Sequence, residues 1–134
     1  MIMMMPPYHG TALKADGKGI REHFERIANA MEALDSRITW YRREGLTPEQ
    51  AEFPDNHALA LLVGPRDGNN PLEIRDDLRI GVSLVAPHFL YPDHHHPPEE
   101  LYISLTQGEW RQDRGPWFSP GPNGIVYNTP HILH

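Results

Sequence analysis

The sequence predicts a mainly-β chain, a small sandwich or barrel preceded by a helical segment, and three observations carry that prediction. Apolar residues recur at helical steps between Ile20 and Leu34. From about residue 64 the texture changes to Gly, Pro, Asn and Asp clusters separating short apolar runs, the mark of antiparallel strands joined by turns. The length of 134 residues supplies one core and too little chain for two ordinary domains. The expected division is a helical segment over 1–63 and a β-domain over 64–134.

The first helix follows from Ile20, Phe24, Ile27, Met31 and Leu34, which fall on one face with Arg, Glu and Asn between them. A second helix is signalled at "LTPEQ". Thr47 can cap, Pro48 suits the first helical position and Gln50 the third, and Pro54 should end or kink the helix soon after. The stretch "HALALLVG" fits either a short buried helix or a strand, and its Ala and Leu content favours helix. The expected strands are "LRIGVSLVA", "ELYISL", "GEWRQ", "PWFS" and "GIVYN". The chain stops at His134 as a strand enters a turn. A small barrel needs further strands to cover its edges, so a chain lacking its C-terminal strands is expected.

The net charge is −6 and no run of Lys or Arg marks a phosphate-tracking face, which argues against nucleic acid and against an anionic membrane. The start "MIMMMPPYHG" has neither a basic flank nor an apolar run long enough for a signal or a span, so a cytoplasmic protein is expected. The absence of cysteine excludes disulfides, thiolate zinc sites and Cys nucleophiles. Any metal must be held by histidine and carboxylate.

The stretch "YPDHHHPPEELY" concentrates such groups. On an extended chain His94 and His96 share a face and His95 points away. Two prolines then turn the chain, after which Glu100 and Tyr102 share one face and Leu101 and Ile103 the other. His134, after Pro130, can add a third imidazole, with His131 the weaker candidate. Imidazoles plus one carboxylate suit Zn, Fe(II), Mn, Ni or Co, and the sequence does not choose among these divalent ions. His9, His23, His57 and His88 have no ligand-spaced neighbours and read as surface or packed histidines. Trp40, Trp110 and Trp117 read as core or rim.

These residues resemble the metal-binding cupins and, within them, the dimethylsulfoniopropionate (DMSP) lyases of marine bacteria. The cupin pattern is two histidines one residue apart, a glutamate four residues on and a last histidine on a later strand, matched here by His94, His96, Glu100 and His134. Tyr102 and Tyr91 stand where the lyases carry tyrosines, and "GIVYNTPHILH" is similar to the strand and turn that deliver the last histidine. One departure is "APHFLYPD" where cupins carry a Gly-rich run.

The resemblance implies a cupin-like jelly-roll β-barrel with an N-terminal helical extension, holding one divalent transition metal ion on those four ligands. It implies β-elimination of DMSP to dimethyl sulfide and acrylate, with Tyr102 as base and Tyr91 orienting the substrate or serving as alternative base. Two other readings stay open. One is a different metal-dependent cupin enzyme, an isomerase or dioxygenase acting on a small carboxylate or sugar acid. The other is a non-catalytic metal-binding cupin fragment. The N-terminal helices can pack on the barrel or mediate a homodimer.

Overall fold

The computed structural model describes residues 2–5, 17–43, 47–121 and 124–134. Its described strands are β1 (Ile2–Met5), β2 (Trp40–Tyr41), β3 (His57–Gly64), β4 (Glu73–Ile74), β5 (Arg79–Val85), β6 (Glu100–Ile103) and β7 (Ile125–Asn128). They form one sheet in the order β2-β3-β5-β1-β6-β7, with β4 pairing β3 from off that path. The architecture is mainly β and cupin-like, and the sheet is open.

Helix α1 (Gly17–Leu34) covers all five positions of the expected apolar stripe. Ile27, Met31 and Leu34 are half-buried while the residues between them are exposed, as a one-sided helix requires. No described helix is long and apolar enough to cross a membrane. At "LTPEQ" the chain makes only a 3-10 turn, Pro48–Gln50, and the Thr47 side chain makes no capping bond. The helix α2 (Phe53–Asn56) comes later, with Pro54 in its first turn. A proline there costs no hydrogen bond, so Pro54 starts this helix and does not end the earlier one.

"HALALLVG" is strand β3, and the expectation of a helix is wrong. It pairs with β2 on one side and β5 on the other, and His57, Leu59, Ala60, Leu61 and Gly64 are buried. A central strand covered on both faces reads as a continuous apolar run, so packing here overrides the helical preference of Ala and Leu. β1 was not anticipated either. It lies between β5 and β6, with Ile2 opposite both Val82 and Ile103. The segment 1–63 therefore supplies three members of the sheet besides its helices. The remainder of the chain's start, with His9, lies outside the described residues.

"LRIGVSLVA", "ELYISL" and "GIVYN" form β5, β6 and β7. "GEWRQ" and "PWFS" do not form strands; they meet in one isolated bridge, Trp110 with Phe118. Gly124 closes the turn before β7, donating its N–H to the Gly121 carbonyl at 3.0 Å. A Cβ there would fall 2.0 Å from the Pro120 carbonyl oxygen, so only glycine fits.

The register places the site. Tyr41, Leu59 and Ser83 are directly opposite one another across β2, β3 and β5. Leu61 opposes Gly81, which in turn shares Met3 of β1 as its partner with Tyr102 of β6. Residues opposite one another share a face. One face of the sheet thus carries Tyr41, Leu59, Leu61, Ser83, Gly81 and Tyr102 toward a common cavity.

Candidate metal centre

β6 alternates cleanly: Glu100 and Tyr102 are 1% and 4% exposed, while Leu101 and Ile103 are half-buried on the opposite face. His94 and His96 lie on an extended segment before β6, and His95 between them is exposed. That segment pairs with the chain's last residues. His94 and His134 exchange backbone hydrogen bonds of 2.9 and 3.0 Å, and the His131 N–H donates to the His96 carbonyl at 2.9 Å.

The loop around the Trp110–Phe118 bridge holds both partners. Arg111 donates to the Asp93 carboxylate at 3.0 Å. Asp113 donates its N–H to the Leu133 carbonyl at 2.9 Å and accepts from the Leu133 N–H at 3.3 Å. Three separate stretches of chain are in this way fixed to one another.

The histidines of these stretches converge. One nitrogen each from His94, His96 and His134 lies within 4.8 Å of the other two. The other nitrogen of each ring, Nδ1, faces a backbone carbonyl: Pro92 at 3.1 Å, Pro98 at 3.1 Å and Ile132 at 3.0 Å respectively. A carbonyl only accepts, so each Nδ1 carries a proton, and a ring in this tautomer has its lone pair on Nε2. Fixing the tautomer through Nδ1 is the usual support of a metal-ligating histidine.

Glu100 sits against this cluster. Its Oε2 is 2.9 Å from His96 Nε2 and 3.0 Å from His134 Nε2, and it accepts a hydrogen bond from the Tyr102 hydroxyl at 2.8 Å. Both nitrogens are buried, with the Glu100 carboxylate as an ion-pair neighbour and no assigned hydrogen bond among the described residues. Buried polar atoms are seldom left so, and lone pairs aimed at one point beside a carboxylate suit a divalent cation. The residues present fit such an ion.

The electrostatics follow from this packing. Burial pushes the His94 pKa down to about 4, and the charge of His134 adds to it, so its imidazole is neutral. Burial raises the Glu100 carboxyl, but His134, Tyr102 and His96 together outweigh burial and hold it below its ordinary value. Burial and then the Glu100 charge push the Tyr102 phenol far up, and in the absence of a cation it keeps its proton. Tyr91 is also raised, mainly by burial, with Arg43 acting against the rise. Its ring centroid lies 5.0 Å from those of His94 and Phe53 and 4.9 Å from that of His57.

A cavity of about 370 Å³ is lined by His94, His96, Glu100, Tyr91 and Tyr102 together with Tyr41, Arg43, Asn69 and Arg79. His57 is packed, as expected, with its Nε2 2.8 Å from Ser83 Oγ. His88 is exposed, and exposed His131 shapes the turn before His134 with a φ of 62°. The sequence reading missed Asn128, which is fully buried directly opposite Glu100 and held by Gln112 Nε2 at 2.6 Å. The sequence shows only an asparagine ending the apolar run "GIVYN", and its burial comes from the pairing of β7 with β6.

Exposure sets a prediction for His95. The His95→Ala variant keeps its metal content and its metal affinity within about twofold, because an exposed side chain away from special contacts costs little. Metal analysis after dialysis checks this, and metal loss in that variant would mean that the register of the segment is shifted by one residue.

The family model for dimethylsulfoniopropionate lyase matches residues 9–134. A protein of Cereibacter sphaeroides, named provisionally as dimethylsulfoniopropionate lyase DddL, is 28% identical over 117 residues, which is 87% of this chain and 47% of that protein. The chain thus spans about half the length of the curated relative it matches. No solved structure matches it.

Proposed function

The chain belongs to the dimethylsulfoniopropionate lyase family, and from that premise we propose that it cleaves DMSP to dimethyl sulfide and acrylate at the His94–His96–His134 centre. The observation that carries the reading is the convergence of three tautomer-fixed imidazoles on Glu100 and Tyr102, beside a cavity that His94, His96, Glu100 and Tyr102 line. His94, His96, His134 and Glu100 would hold a divalent ion. When bound, such an ion supplies Lewis acidity that offsets the negative charge gathering on the substrate carboxylate.

The rest of the reaction falls to the chain's own side chains. Tyr102 Oη, ionised, takes the proton from the carbon alpha to the carboxylate. The electron pair of that C–H bond becomes the new C=C bond, the C–S bond breaks, and its pair leaves with dimethyl sulfide. A phenol pushed up by burial and by Glu100 ionises only when positive charge offsets both, which ties the base to the loaded site. Tyr91 orients the substrate or is the alternative base. The faces of Tyr41, Tyr91 and Tyr102 along the cavity suit the sulfonium by cation–π attraction.

Headspace detection of dimethyl sulfide tests the reading. Chain loaded with metal releases the gas from DMSP, and chelator-stripped chain does not; silence from protein shown to hold metal would exclude DMSP as substrate.

A further inference from the structure

We propose that Arg43 binds the substrate carboxylate at the mouth of this cavity and so selects short carboxylates that enter in one orientation. The inference rests on the reading of the cavity as the substrate site and adds the group that fixes which end of the substrate goes where.

Alternation about β2 puts Arg43 there. Trp40 and Arg42 turn outward, where Trp40 Nε1 donates to Asp35 at 3.0 Å and Arg42 pairs with Asp55 at 2.7 Å. Tyr41 and Arg43, the residues in the other phase, line the cavity. Two neighbouring arginines thereby have different tasks. Arg42 ties β2 to α2 on the surface, and Arg43 faces the site.

The charges lining the cavity favour Arg43 over its neighbours. Arg79 also lines the cavity, but its guanidinium donates to the Asp67 carboxylate at 2.5 Å. Glu100 is occupied by the imidazoles and by Tyr102. The arginine–carboxylate pairs among the described residues engage Arg42, Arg75, Arg79 and Arg111, and Arg43 is in none of them. Its charge reaches the site, since it acts on Tyr91, Tyr102 and His57. A guanidinium offers a planar fork that matches both oxygens of a carboxylate. Each of those oxygens has a second lone pair, so the same carboxylate can face Arg43 and the metal centre together.

Propionate tests this because it has the carboxylate and no leaving group. Calorimetric titration of the metal-loaded chain is expected to give a Kd that weakens at least about tenfold in Arg43→Gln, with Arg43→Lys between the two. Trimethylsulfonium, which lacks the carboxylate, is expected to bind both forms alike. With DMSP, the Gln variant raises KM by about the same factor while kcat changes less. Equal propionate affinity in wild type and Arg43→Gln, or no propionate binding by the wild type, overturns the proposal. Arg43-dependent propionate binding without dimethyl sulfide release would leave it standing and remove the lyase reading.

Discussion

Tyr102→Phe retains its metal and loses dimethyl sulfide release by about a hundredfold or more, the span associated with removing a positioned general base. The loss is confined to chemistry because the ring stays. Tyr102 is a core residue at 4% exposure, packed 5.1 Å from the Trp110 ring centroid, and phenylalanine keeps that contact. The deleted atom is the hydroxyl 2.8 Å from Glu100 Oε2. Glu100 keeps its close approaches to His96 and His134, so the centre stays assembled. Single-turnover rates with matched metal content decide the matter. Activity within about threefold of wild type would take the base role from Tyr102, and a dead Tyr91→Phe beside it would pass the role to Tyr91.

His134→Ala has the opposite signature, with metal and activity disappearing together. This imidazole is one of the three converging nitrogens, and its backbone pairs reciprocally with that of His94. Removing the side chain leaves the backbone pairing intact, so circular dichroism stays close to wild type while metal is lost. Changing a group that merely supports a ligand costs about ten- to a hundredfold in affinity, and loss of a ligand itself is expected to exceed that. Competition against a chromogenic chelator measures it. Affinity within about threefold of wild type would exclude His134 as a ligand.

The two variants show which parts of the site are legible in the sequence. His94, His96, Glu100 and Tyr102 are separated by steps of two and four, and the period of an extended chain predicts which of them share a face. His134 is different: its approach to His94 depends on pairing between distant stretches, so the residues alone offer it only as a possible third imidazole and the resemblance to cupins makes it the last ligand. Arg43 was invisible because "YRRE" offers two equivalent arginines, and only the phase of a two-residue strand separates them. Asn128 owes its meaning to the register between β6 and β7.

The fold errors have the same origin. The run at 57–64 is helical by composition and becomes a strand because partners flank it on both sides. Local propensity cannot report neighbours that arrive from elsewhere in the chain. "GEWRQ" and "PWFS" failed in the reverse sense. Their strand-forming residues find only one bridge, and the loop between them braces the two histidine-bearing segments instead.

The central place of β1 bears on the order of events during folding. β5 and β6 are joined through residues 2–5, so the wall carrying Ser83 and the wall carrying Tyr102 meet across a strand far from both in the sequence. Pairing between residues so distant in sequence is slow to form. The cavity is then completed late, after local strand pairs such as β6 with β7 have formed.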